Sequence, residues 1–379
     1  MLERHELKVI AAAIWVDMAA AQTVFIQPAY VDTLANYGGL GTERAGYILS
    51  IEMMAFAITT IAMALVSHRI SWHKTLWTAL SVIAAGNIAS IFVADPAYLL
   101  AVRLVVGAAS GLVVPIAFAT VGRLPRPERA FGIMIGVLLL YAAGFLSLMP
   151  FFAKVAGVGG LMGGMLFTCL LGMLFMAWFP VEAAHQDIAR PAMGQWPTPG
   201  QWLALTGMLL FFTQLTSFWS FASVIAGNNG VAAGTVAGAL AISQVAGIAG
   251  TALPAMAGNR LAVPIALLLA IVCCIAAPAL LLFHTDATTF LAAVIFLHFG
   301  WNLGHAYLLA LFARLDASSH LIFMATAMQK IGIAAGPAIA TVMYGRKGGD
   351  AVLLLALVIG LVALAALTPA ARRQATAAL

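Results

Sequence analysis

Charge is what this sequence has least of. Of its 379 residues 8% are charged and 63% hydrophobic, and the mean hydropathy is +1.04. Soluble proteins carry roughly 25% charged residues, so water cannot be the solvent for most of this surface. Cysteine is scarce as well. Cys169, Cys273 and Cys274 all fall inside apolar runs, which argues against a disulfide framework, and no Cys/His spacing suits a metal. No Gly-rich phosphate loop of the GxxxxGK type occurs, so nothing supports direct ATP drive. No Ser/His/Asp or HExxH arrangement points to an enzyme, and no basic, aromatic-interleaved segment points to nucleic acid. No cofactor is expected. What remains is an integral membrane protein, with lipid as its solvent and its main surrounding partner.

What is abundant is small and apolar. Thirty-five glycines and many alanines suit closely packed membrane helices, whose backbones approach where side chains are small. Runs long enough to span a bilayer, about 20 residues each, occur at about 9–34, 44–66, 75–93, 97–121, 130–153 and 160–180. They resume at about 200–226, 233–256, 262–283, 287–312, 320–344 and 351–370. The N-terminal MLERHELK and the apolar run after it imitate a signal peptide. Asp17 inside that run, and hydrophobicity continuing through Phe25 and Ile26, make it an uncleaved first span instead.

Twelve spans put Arg4, Lys8, Arg69, Lys74, Arg123, Arg126, Arg129, Arg190, Arg260, Arg314, Arg372 and Arg373 on one side of the membrane. The other side receives Arg44, Lys154, Arg346 and Lys347. Basic residues collect on the cytoplasmic side, so both termini are expected there. The stretch VEAAHQDIARPAMGQWPTPG carries Pro, Gly and mixed charge and predicts a cytoplasmic linker. The domain plan is a six-helix bundle at 1–180, a linker at 181–199 and a second bundle at 200–379.

A shift of 192 residues lays AGYILSIEMMAFA (45–57) over AGALAISQVAGIA (237–249), with Glu52 on Gln244. It also lays Phe131 on Phe323, Gly144 on Gly336 and Lys154 on Arg346, whereas Lys330 falls on Leu138. The halves are a diverged parallel repeat, and Lys330 is a feature of the second half alone. On these features the chain resembles the major facilitator superfamily. RLVVGAASG (103–111) is similar to that family's fourth-helix pattern, an arginine followed by glycines four apart: Arg103, Gly107, Gly111. GIAAGP (332–337) resembles its Gly-Pro pattern in the eleventh helix. The family's loop pattern between helices 2 and 3 survives as VSHRISWHK, with Arg69 and Lys74 but no acidic residue. The resemblance implies an all-α, multi-pass protein of a bacterial inner membrane, with two pseudo-symmetric bundles and a solute site near the midplane between them.

Ionisable groups within spans are the candidate site, because each is costly in hydrocarbon. They are Asp17 on the first span, Glu52 on the second, Arg103 on the fourth, His298 and His305 on the tenth and Lys330 on the eleventh. Lys330 alone costs about 2.5–3.5 kcal/mol at the bilayer centre, so it must face protein, water or ligand. Glu52 lies about 12 Å from the outer face and Arg103 about 9 Å, which matches them as an ion pair. Asp17 lies about 12 Å from the inner face and Lys330 about 16 Å, so the lysine is in range of Asp17, Glu52 or a solute anion. A carboxylate that loses its cation to a solute gains a proton, which would couple the two; the alternative is a permanent pair that orients helices. The resemblance also implies a proton-coupling role for Arg103.

His298, Asn302 and His305 recur at i, i+4 and i+7 on one helix stripe, either lining a solute path or tying neighbouring helices. FFTQLTSFWSF (211–221) puts Gln214, Ser217 and Phe221 on one face, beside Phe218 and Trp219. This is an aromatic wall for solute, or packing. Gln22, Gln27 and Tyr30 add uncharged polar groups to the first span, and Pro28 loosens its outer end.

The expected substrate-binding set is Lys330, His298, Asn302, His305, Gln214, Gln22 and Arg103; the expected proton-coupling set is Asp17, Glu52 and Arg103. No metal is expected. The reading is a secondary transporter, active as a monomer, that moves an aromatic or carboxylic anion in symport with protons by alternating access. The alternative is a proton-driven efflux pump for lipophilic or cationic compounds, with Asp17 or Glu52 as the acid and the seventh-span aromatics as the pocket.

Overall fold

The computed structural model describes residues 4–66, 70–92, 95–122, 124, 127–180, 197–257, 262–315 and 320–377. Within them all regular structure is helical. The helices are α1 (Arg4–Phe25), α2 (Gln27–Asn36), α3 (Gly41–Val66), α4 (Trp72–Ile91), α5 (Pro96–Gly122), α6 (Pro127–Ala156) and α7 (Val158–Phe175), the last followed by a 3₁₀ turn at Met176–Trp178. Then come α8 (Pro199–Asn228), α9 (Ala233–Ala257), α10 (Val263–Phe283), α11 (Ala287–Leu315) and α12 (His320–Ala377).

Ten of these helices are long and apolar enough to cross a bilayer. Two details turn ten helices into the twelve passes expected. First, α12 has 58 residues, about 87 Å at 1.5 Å per residue against a hydrocarbon core of about 30 Å. It is two passes broken at Gly348, whose φ of +72° leaves the helix in a conformation that glycine adopts without a Cβ clash. Second, α4 has 20 residues, enough to span, but His73, Lys74, Thr75, Thr78 and Asn87 dilute its hydrophobicity. The first span is broken as well. α1 stops at Phe25, Ile26 leaves helical geometry (φ −107°, ψ 14°), and α2 starts with Pro28 in its first turn, where a missing N–H does no harm.

The chain divides into two compact units, Met1–Ile188 and Ala189–Leu379. The boundary lies in the expected linker, of which residues 181–196 are outside the described residues. So are Arg69, Arg123, Arg126, Arg190 and Arg260 of the expected cytoplasmic cations. The second unit opens on a capping box: Thr198 Oγ1 accepts from the Gln201 N–H and Gln201 Oε1 accepts from the Thr198 N–H at 2.8 Å, with Pro199 in the first turn.

In the first unit Gly107 and Gly111 bring α5 onto α3. A Cβ at Gly107 would collide with the carbonyl of Glu52, and one at Gly111 with the carbonyl of Phe56 and Thr59 Oγ1. In the second unit Gly332 and Gly336 seat α12 on the backbone of α8 at Leu209 and Thr213, where Thr216 and Ser217 donate to their carbonyls at 3.4 and 3.2 Å. The glycine patterns read from the sequence are thus helix contacts. The outer surface is apolar: Phe92, Phe167, Leu174, Ile265 and Phe283 are among its most exposed residues, as a lipid solvent permits.

Candidate functional site

Each unit holds an extended polar cluster in its interior. In the first, Glu52 on α3 meets Arg103 on α5 fork to fork, with Nη2 2.5 Å from Oε1 and Nε 2.9 Å from Oε2. This bidentate geometry makes the strongest protein hydrogen bonds. The remaining guanidinium nitrogen donates to Asn87 Oδ1 on α4 at 2.7 Å and approaches Met162 Sδ on α7 at 3.8 Å. The carboxylate also accepts from Thr23 Oγ1 at 2.9 Å and from Tyr30 Oη at 2.8 Å, and the Tyr30 ring lies 5.5 Å from the guanidinium carbon. Thr23 precedes the break in the first span and Tyr30 follows it. One carboxylate therefore fastens both pieces, α1 and α2, to α3 and α5.

Glu52, Arg103, Tyr30, Thr23 and Asn87 are all at most 3% exposed. A buried pair survives desolvation only when its lone pairs and protons are otherwise satisfied, and here they are. Arg103, expected among the solute-binding residues, directs its donors to Glu52, Asn87 and Met162. Gln22 too is held by protein groups. Its amide donates to the carbonyls of Ala19 and Met165 at 3.0 and 3.1 Å and accepts from Tyr141 Oη at 2.9 Å, so it ties α1 to α6 and α7. Asp17 is buried on α1, about 7.5 Å along the helix from Gln22.

The second cluster runs along α11. His298 Nδ1 lies 3.3 Å from the Val294 carbonyl, and Nε2 lies 3.1 Å from Gln244 Nε2 on α9. A carbonyl only accepts and an amide nitrogen only donates, so the imidazole carries its proton on Nδ1 and accepts at Nε2. Trp219 of α8 stands edge-on to the ring at 4.4 Å, and Trp301 stacks on it at 5.7 Å. One turn on, Phe212 bridges Trp301 and His305, and His305 Nε2 lies 3.1 Å from Gln329 Nε2 on α12. Lys330, the next residue, is half-buried and within electrostatic reach of His305. Asn302 donates to the His298 carbonyl at 2.9 Å.

The structure thus gathers His298, Asn302, His305 and Lys330 along one stripe. Gln214 is not with them. It is buried on another face of α8, donates to the Cys274 carbonyl at 2.7 Å and abuts Gly360. Of the seventh-span aromatics, Phe211, Phe212, Phe218, Trp219 and Phe221 are fully buried. Two buried polar atoms beside His298 have no hydrogen-bond partner among the described residues, Trp219 Nε1 (a donor) and Gln244 Oε1 (an acceptor). Sequence reasoning left Asn87, Tyr141 and Gln329 out of the site and named Trp219 only as part of the seventh-span aromatic wall. Gln244 was marked by the repeat, as the residue in register with Glu52. Among the described residues no three His, Cys, Asp or Glu side chains converge on a common point.

No protein-family model matches the chain, and no curated protein matches it in sequence. Solved structures do match in shape. The nucleoside transporter NupG, in a mutant form, superposes with a TM-score of 0.71 at 13% identity, covering 96% of this chain and 98% of that one. A bacterial homologue of the human drug peptide transporters PepT1 and PepT2 superposes with a TM-score of 0.72 at 14% identity, covering 97% of each. Twelve passes, an internal repeat and these superpositions agree: the chain is built on the fold of the major facilitator superfamily.

Proposed function

We propose that the chain is a secondary active transporter that moves a small aromatic or carboxylic anion together with protons by alternating access. Its working parts are two six-helix bundles, 1–180 and 200–379, joined by a cytoplasmic linker. The fold supports transport rather than catalysis, since the two structures described above are a nucleoside transporter and a relative of peptide transporters. The observation that carries the anion assignment is the contrast between the two clusters. The first unit's cluster is closed on itself around a neutralised pair. The second presents half-buried Lys330 beside His305 and leaves a donor and an acceptor free at His298.

In this mechanism a solute carboxylate is drawn by Lys330. The Trp301 ring and the Trp219 and Gln244 polar atoms select the rest of the molecule. Asp17 and Glu52 are the proton carriers, and Arg103, the partner of the Glu52 carboxylate, governs Glu52. The efflux alternative would take Asp17 or Glu52 as its acid and the α8 aromatics as its pocket, and the test below separates the two readings.

The test is counterflow in proteoliposomes preloaded with benzoate-like acids or with lipophilic cations. The acids are expected to exchange and the cations not. Lys330→Ala is expected to abolish acid exchange, with Lys330→Arg restoring part of it. Acid exchange by Lys330→Ala at unchanged affinity removes the lysine from the site, and exchange of cations alone replaces the reading with the efflux pump.

A further inference from the structure

The lipid-facing side of the first unit carries a feature that transport does not use. A groove of about 490 Å³ runs between α3, α4 and α5. On α4 it is lined by Lys74, Thr75, Thr78, Ala79 and Val82, and on α5 by Leu112, Ala109, Ala108 and Val105, with Thr59 from α3. Neighbouring passes run antiparallel, so the start of α4 lies level with the end of α5. The groove is therefore graded along α4, with Lys74, Thr75 and Thr78 at one end and then Ala79 and Val82, about 12 Å from Lys74 to Val82.

The end with Lys74 is also where the bilayer surface lies. Trp77 is exposed one turn into α4 and donates to His73 Nε2 at 3.1 Å. A second groove on the other flank of α4 joins His73 and Trp77 to Met176 and Phe179. Beside it Lys8 sits over the exposed Trp178 ring, 5.9 Å from its centre. Exposed tryptophans mixed with lysines mark the headgroup level. Lys74 is exposed, and among the described residues no carboxylate lies within ion-pair distance of it.

We propose that this groove binds an anionic phospholipid, its phosphate at Lys74 and the Thr75 and Thr78 hydroxyls, one acyl chain lying along Ala79, Val82, Ala108 and Val105. Two features commit the site to a lipid. The groove opens on the surface that the bilayer covers, and its polarity falls along its length in the order headgroup to chain. The sign of the charge selects an anionic headgroup, since basic pockets between membrane helices hold such lipids.

The experiment is native mass spectrometry of the full chain in mild detergent, titrated with phosphatidylglycerol or with phosphatidylcholine of the same chains. The protein is expected to retain one phosphatidylglycerol in preference to phosphatidylcholine. Lys74→Ala is expected to weaken that adduct about fivefold, the effect of one basic residue near an anionic headgroup. Ala108→Phe, which fills the groove without touching charge, is expected to remove it, and both variants are expected to melt at the wild-type temperature in lipid-free detergent. Equal retention of the two lipids means an annular shell and overturns the proposal. So does an adduct that survives Ala108→Phe, one displaced by inorganic phosphate, or a protein dimer in place of the lipid adduct.

Discussion

Glu52 and Arg103 hold four helices together, and the coupling role proposed for them rests on the same buried pair. Removing one partner of a fully buried pair strands the other charge, which costs about 3–5 kcal/mol. Glu52→Gln is therefore expected to lower the melting temperature sharply in a thermal-shift assay. Glu52→Leu combined with Arg103→Met is expected to recover most of that stability and to lack proton-driven uptake, which separates the structural role from the coupling one. Tyr30→Phe leaves one carboxylate lone pair unfilled and is expected to cost about 1–3 kcal/mol. The pair was legible in the sequence because depth along two neighbouring passes follows from counting residues. The roles of Tyr30 and Asn87 were not. They depend on helix rotation about its own axis, which sets which of several buried polar residues points at a given guanidinium. The protein partners of Gln22, Gln214 and Arg103 were hidden for the same reason: polarity within a span shows that a partner exists, but protein groups and solute satisfy it equally well.

Helices meet here through glycine, and the contacts differ in tightness. Gly107 lies directly beneath the Glu52 carbonyl, whereas a Cβ at Gly144 of α6 would meet nothing within 4 Å. Gly107→Ala is expected to push α5 off α3, costing about 1–3 kcal/mol as overpacking does and loosening the Arg103 fork. Gly144→Ala is expected to be neutral or to stabilise by up to about 1 kcal/mol, since alanine is the better helix former. Thermal melts of the two variants in the same detergent check the contrast. The repeat had set Gly144 in register with Gly336, which is tightly packed on α8, so sequence register did not carry over into contact. Helix boundaries were legible where chemistry changes abruptly, as at Pro28 and at Thr198–Gln201. They blurred where it does not: the run read at 75–93 misses the polar first turn of α4, and the last two passes are joined by only the short turn around Gly348.

At the scale of the whole chain, the architecture was written in run lengths and in the 192-residue repeat, because a bilayer demands about 20 apolar residues per pass whatever their order. The repeat extends into the chemistry. α3 and α5 carry the charged pair Glu52–Arg103, while α9 and α11, their counterparts in the second unit, carry the neutral pair Gln244–His298. The first half holds a closed ion pair, and the second holds hydrogen-bonding groups, two buried polar atoms without a partner among the described residues, and Lys330. The proposed division of labour between them is the centre of the account. It is tested most directly by reconstituting the protein in vesicles and recording external pH while a benzoate-like acid is added. The account predicts alkalinisation that follows acid uptake in the wild type, disappears in Lys330→Ala, and is absent while acid exchange persists in the Glu52→Leu, Arg103→Met variant. Acid uptake with no proton movement in the wild type, or proton-coupled uptake undiminished in Lys330→Ala, would contradict it.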